Sequence, residues 1–257
     1  EDTQTPDTSF QQIVDRPSLK EARTYLTSLP GNPPFEIFGD PDRPITTIII
    51  NGIDDDLLLF TSQFALRQYL DHLETGLHRL KQLTGVTHVY LALPRTGLME
   101  AQGKGAELKI IAEEYPLNLP HFLYQQVVGA PLPAGRSFED EGVCFFSVEA
   151  VISLGRFFAE GQPTFTKILT VIDKQGQTRI VEALIGTPVG HILGSLGIDI
   201  EDRDRIVAGG PMRGSAVYST DYPVTGVTNG IVVQASDRLP LVSDYPCVNC
   251  GECVRIC

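Results

Sequence analysis

The stretch Ile45-Thr46-Thr47-Ile48-Ile49-Ile50-Asn51-Gly52-Ile53-Asp54-Asp55-Asp56 opens on a continuous β-branched run and closes on a polar turn. A run without polar alternation is expected of a strand covered on both faces, as in a parallel sheet flanked by helices. Asn51-Gly52 reads as the turn that leaves this strand. Asp54, Asp55 and Asp56 read as a solvated turn, since three neighbouring carboxylates ordinarily face water.

The next pattern is helical. Leu66, Leu70, Leu73, Leu77 and Leu80 recur at alternating spacings of four and three, with Thr61 or Ser62 available as a cap and Gly85 as the stop. Strands are expected at residues 86–93 and 142–148, and helices at 105–115, 120–128 and 149–160. Strands alternating with helices predict a Rossmann-like α/β domain over residues 21–163, with its ligand site among the loops at the strand C-termini. Ahead of it, residues 1–20 carry no hydrophobic period and read as a flexible N-terminal arm. A short helix at 19–26 leads into the proline-rich, irregular stretch 28–44.

From residue 164 the texture changes. Residues 167–172 and 177–183 flank Asp173-Lys174-Gln175-Gly176, which predicts a hairpin. Thr187 caps a helix with Pro188 at its first position, and strands follow at 205–208 and 230–234. Hairpin, helix and returning strands make a small α+β domain over 164–236, read as a β-grasp. Residues 237–257 are a linker and the start of a ferredoxin-type segment.

That last segment holds four of the five cysteines, Cys247, Cys250, Cys253 and Cys257, at the spacing C-x2-C-x2-C-x3-C. It is the spacing of a bacterial ferredoxin run and marks these thiolates as [4Fe–4S] ligands. The alternatives are a zinc knuckle or plain surface thiols, but zinc sites usually come as separated cysteine pairs. Because the fourth cysteine of such a run serves the other cluster of a two-cluster domain, the full-length protein is expected to carry two clusters. A chain ending on Cys257 is expected to be a fragment that retains none. Cys144, in the apolar run Val143-Cys144-Phe145-Phe146, reads as an inert core residue.

A net charge of −12 over 257 residues argues against a nucleic-acid partner. No apolar run approaches the ~18 residues of a membrane span, and no signal peptide is evident at residues 1–4, so a cytoplasmic location is expected. Of the five histidines, His72 and His78 fall on the polar side of the leucine helix, while His88, His121 and His191 have no partner at ligand spacing. No catalytic residue is assigned.

Several stretches, in order, resemble the C subunit family of the Rnf electron-transport complex, relatives of the flavin-bearing subunit of respiratory complex I. They are Ile48-Ile49-Ile50-Asn51-Gly52, Tyr115-Pro116, Gly142-Val143, Ile185-Gly186-Thr187-Pro188-Val189, Gly209-Gly210-Pro211-Met212-Arg213-Gly214, Thr228-Asn229-Gly230 and Pro246-Cys247. The resemblance implies an FMN-binding first domain that accepts electrons from a nicotinamide, a β-grasp domain beside it, and two [4Fe–4S] clusters. It implies partners among the other subunits of a redox complex, membrane-embedded ones included, an electron donor or acceptor protein, and a peripheral position at the inner membrane.

The flavin motifs are altered. Where the family has a glycine-rich phosphate loop, this chain reads Leu26-Thr27-Ser28-Leu29-Pro30-Gly31-Asn32-Pro33-Pro34, with one glycine and three prolines that lack an N–H. Asp54-Asp55-Asp56-Leu57, Asn118-Leu119-Pro120-His121 and Phe146-Ser147-Val148-Glu149-Ala150 stand where its other flavin elements lie. FMN is therefore not expected, and the first domain reads as a docking scaffold. The alternatives are an FMN-dependent NADH dehydrogenase subunit with a rebuilt loop, an oxidoreductase of the NADH:acceptor type, and a small-ligand sensor built on the second domain.

Overall fold

The structure, a computed structural model, describes residues 9–97, 103–238 and 247–256. The β-branched run forms β1 (Thr47–Asn51), which pairs in parallel with β2 (His88–Leu93) on one side and β4 (Val143–Ser147) on the other. Strand β3 (Glu107–Ile110) extends the sheet beyond β2, giving the order β3-β2-β1-β4. Burial on both faces is why β1 lacks alternation. Ile48 and Ile50 join the main core, and Ile49 points to the opposite face.

The main face is covered by α2 (Leu19–Thr27), α3 (Thr61–Gln68), α4 (Leu70–Thr84) and α6 (Val148–Glu160). On the other face, α5 (Pro120–Val128) sets Leu123 and Tyr124 against the sheet. Helices α4 and α6 cross at two glycines. A Cβ on Gly76 would lie 2.0 Å from the Val151 carbonyl oxygen, and one on Gly155 would lie 1.8 Å from that of His72. Only backbone without side chains approaches so closely.

Three expectations need correction. The stretch expected as a helix at 105–115 contains β3 instead: Gly103 and Gly105, both at positive φ, release the chain into an edge strand, and pairing with β2 overrides the helical propensity of its residues. The leucine pattern is carried by two helices, not one. The break falls at Tyr69, whose N–H donates to Ala65 and whose hydroxyl reaches Glu182 of the second unit. The N-terminal arm includes a helix, α1 (Ser9–Asp15), with Phe10, Ile13 and Val14 packed on the main core.

The second sheet is mixed and separate, in the order β6-β5-β9-β7-β8. Strands β5 (Thr166–Ile172) and β6 (Thr178–Leu184) form the hairpin. Strand β9 (Gly230–Gln234) runs parallel to β5 and antiparallel to β7 (Arg205–Ala208). Strand β8 (Ser215–Val217), too short to show a period in the sequence, closes the edge. Helix α7 (Val189–Ser195) buries Val189, Ile192 and Leu193 against this sheet. Ile168 of β5 and Ile180 of β6 pack on the main core of the first sheet, so apolar contact is continuous between the two units.

Candidate functional site

In an open parallel sheet the ligand crevice lies beyond the strand C-termini where the strand order reverses, which here is between β1 and β4. The chain fills that place itself. Gly31, at φ +83°, lies so close to the start of α6 that a Cβ on it would sit 2.6 Å from the Ala150 nitrogen and 3.0 Å from Ser147 Oγ. The loop's donors are committed internally: the Gly31 N–H donates to the Gly226 carbonyl at 2.8 Å and the Asn32 N–H to Leu29 at 2.9 Å. At the helix start, the Ala150 N–H donates to Ser147 Oγ at 3.1 Å. A phosphate needs free backbone donors at a helix N-terminus. The donor set at this loop does not fit the phosphate of an FMN.

The acidic loop after β1 is not a solvated turn at Asp54 and Asp56, which overturns the expectation for those two, while Asp55 stays half-exposed. Asp54 and Asp56 are 7% and 6% exposed. Asp54 caps α3 from a distance, accepting the Ser62 N–H at 2.7 Å and the Gln63 N–H at 3.4 Å. Its burial outweighs those hydrogen bonds and, with the nearby Asp55 charge, raises its pKa from 3.8 to about 7. Asp56 accepts the Met212 and Arg213 N–H groups at 3.1 and 2.6 Å. Gly210 leaves room for this, because a Cβ there would come within 2.3 Å of Asp56 Cβ and Cγ. The Gly209-Gly210 loop is thus the seat of a carboxylate from the other unit. Asn51-Gly52 is structural, as read: Asn51 Oδ1 accepts the Ile53 N–H at 3.0 Å.

Behind the acidic loop, polar groups link the two units directly. Thr61 Oγ1 donates to the Asn229 carbonyl at 2.8 Å and lies 2.9 Å from Thr170 Oγ1, which also accepts the Phe60 N–H at 3.0 Å. Thr61 is therefore an inter-unit peg rather than a helix cap. Asn229 Nδ2 donates to Asp55 Oδ2 at 3.2 Å, and its Oδ1 accepts from Lys167 Nζ at 2.9 Å. Lys167 is fully buried. It pairs with Glu149 at the start of α6 and donates to the Ile168 carbonyl at 3.1 Å. Sequence reasoning missed this pair, although a lysine inside the apolar run Lys167-Ile168-Leu169-Thr170-Val171-Ile172 is itself a signal that a buried partner exists.

Of the four cysteines, Cys247 and Cys250 are exposed thiols. The backbone from Cys247 onward curls through Asn249 at φ +54° and, just past Cys250, Gly251 at φ +74°, and the Asn249 N–H donates to Cys247 Sγ at 3.4 Å. This hydrogen bond ties the backbone after Cys247 to its sulfur. The loop leads into a short helix, α8 (Glu252–Ile256). The Cys253 side chain and all of Cys257 lie outside the described residues, as does Pro246. Among the described residues no group of three or more His, Cys, Asp or Glu could hold a metal. Cys144 is buried, and burial pushes its thiol up to about 12, consistent with an inert core residue.

A four-stranded parallel Rossmann-like sheet, bolted through buried polar groups to a five-stranded mixed sheet, is the class the fold defines. Its overall arrangement is similar to that of a chain of an NAD+-reducing [NiFe]-hydrogenase, with a TM-score of 0.69 at 15% identity, covering 91% of this chain and 50% of that one. No family model matches the sequence. The C subunit of the ion-translocating oxidoreductase complex of Rhodobacter capsulatus is 27% identical over 226 residues, covering 83% of this chain and 43% of the relative. Its counterpart in the Na(+)-translocating ferredoxin:NAD(+) oxidoreductase complex of Acetobacterium woodii is 23% identical over 226 residues, covering 84% and 51%. The chain is similar to these C subunits over most of its length, in line with the resemblance read from its sequence. It spans about half or less of their length.

Proposed function

We propose that the chain is part of an iron–sulfur electron-transfer subunit of a membrane-associated redox complex, and that its Rossmann-like unit serves as a docking scaffold rather than an FMN site. The cysteine run carries the redox half of this reading. Cys247, Cys250, Cys253 and Cys257 would hold [4Fe–4S] clusters, two in the full-length protein, and a cluster held there supplies one-electron transfer. The Asn249 N–H already donates to Cys247 Sγ, a contact that supports a ligand loop here. The filled crevice between β1 and β4 supports the flavin-free half, because its backbone donors are already engaged. The order of the second sheet, with its first and last strands parallel at the centre, supports a β-grasp unit. Other subunits of the complex and an electron donor or acceptor protein are the partners, and a peripheral place on the cytoplasmic side of a membrane follows from that assembly. No helix among the described residues is long and apolar enough to cross one.

The NAD(+) in the name of the Acetobacterium woodii relative keeps a second reading in view, an NADH-linked electron-input subunit, which would use FMN held by a rebuilt loop. Protein purified without oxygen from the whole reading frame separates the two. Iron and sulfide without flavin are expected, with iron falling in Cys250→Ser. Stoichiometric flavin released by acid would overturn the flavin-free reading, and absence of iron would overturn the redox assignment.

A further inference from the structure

Beyond the filled crevice, a second concavity of about 330 Å3 opens at the carboxyl ends of β1, β2 and β3. Its chemistry is one-sided. Asp54, Glu113 and Glu114 line it with carboxylates, Gln63 holds Glu113 through an Nε2–Oε1 hydrogen bond of 3.0 Å, and Arg67 is the basic residue among the lining side chains. At its floor Asn118 is 6% exposed. Asn118 Nδ2 donates to the Asp54 carbonyl at 2.6 Å, but Oδ1 is buried and accepts no hydrogen bond from any described residue. A buried acceptor left unsatisfied is costly, so its persistence calls for an explanation.

The rim is apolar. Leu57, Leu58 and Phe60 are 46%, 58% and 43% exposed, and Tyr115 is 39% exposed beside them. Leu58 is held at φ +61°, a strained conformation for a bulky residue and one that persists only where its surroundings impose it. Contiguous exposed apolar side chains around an acceptor-lined floor are the features of a recognition surface, not of a solvated loop.

We propose that this cleft receives a lysine or arginine side chain, flanked by apolar residues, presented by a partner polypeptide. The cationic head supplies a donor for Asn118 Oδ1 and a counter-charge for the lining carboxylates, and the flanking residues cover Leu57, Leu58 and Phe60. A phosphate-bearing ligand has the opposite complementarity and is repelled. Charge pairing across such a surface selects the partner and its orientation. The inference rests on the reading of the first unit as a docking scaffold, and it specifies the chemistry of what docks.

The test is an NMR titration of the whole chain, following the side-chain amides of Gln63 and Asn118. The probes are acetylated and amidated Leu-Arg-Leu, the same peptide with glutamate at the centre, n-butylammonium, and FMN. Leu-Arg-Leu is expected to shift both amides in the low millimolar range, at least tenfold more tightly than either the glutamate peptide or n-butylammonium. Glu113→Gln combined with Glu114→Gln, two exposed changes that leave the core intact, is expected to weaken it at least tenfold. Asn118→Leu should weaken it further if that variant folds. Equal binding of the glutamate peptide, equal binding of n-butylammonium, or no shift at either amide would overturn the proposal. Binding of FMN in the cleft would instead overturn the flavin-free reading, so the two failures are distinct.

Discussion

Replacing Lys167 by methionine removes the buried cation that faces Glu149 while keeping most of the volume of the side chain. Lys167 is fully buried and Glu149 is 7% exposed, so water cannot take over the charge left behind. Three acceptors lose their donor: the Glu149 carboxylate, the Ile168 carbonyl and Asn229 Oδ1. Breaking one side of a buried ion pair typically costs about 3–5 kcal/mol, more than the pair itself contributes, because an unpaired charge stays in a low-dielectric site. Adding Glu149→Gln removes that charge and keeps an oxygen for the Ile168 N–H, which now donates to Glu149 Oε1 at 3.2 Å. The double variant should therefore recover about 2–3 kcal/mol relative to K167M alone, leaving mainly the lost hydrogen bonds at about 1 kcal/mol each. Urea unfolding followed by circular dichroism, run as a double-mutant cycle, measures the coupling. A cost below about 1 kcal/mol for K167M, or additive effects of the two changes, would refute the account of this pair as a bolt whose halves depend on each other.

Asp54 should give the protein an unusual pH dependence. Its folded-state pKa, raised to about 7, lies above its unfolded value, so the folded state holds the proton more tightly and stability from this group is lost as pH rises through that range. Asp54→Asn, which keeps an oxygen for the Ser62 N–H, should gain about 2–3 kcal/mol on the wild type between pH 5 and pH 8 in paired urea titrations; parallel curves would refute it. Gly210→Ala forces a Cβ into Asp56 and should cost about 1–3 kcal/mol, with faster hydrogen exchange at the Met212 and Arg213 amides that Asp56 accepts. Unchanged exchange there would show that Asp56 does not hold that loop. Gly155→Ala should cost at least as much, because its Cβ would meet the His72 carbonyl and push α4 from α6; a thermal midpoint within 1 °C of wild type (roughly a few tenths of a kcal/mol) would contradict that close approach.

The local signals in the sequence are those that a segment settles by itself. The β-branched run at 45–50 announces a strand covered on both faces, Gly85 ends a helix at positive φ, and the hairpin around Asp173-Lys174-Gln175-Gly176 follows from its turn residues. The cysteine spacing is likewise a local signal, and it motivates the proposed cluster role. Residues whose role depends on a distant partner are not legible. Whether Glu107-Leu108-Lys109-Ile110 forms helix or strand is decided by the open edge of β2. Asp54 and Asp56 look like part of a solvated turn until Met212, Arg213 and the start of α3 arrive from elsewhere in the chain to satisfy them. Lys167, Glu149 and Asn229 meet only across the junction of two sheets, at separations of 18 and 62 residues. Period and turn chemistry act over one helical turn or one strand pair, so the sequence carries them openly. Desolvation and pairing of buried charge depend on which surfaces close on each other, and that is settled only when the two units pack.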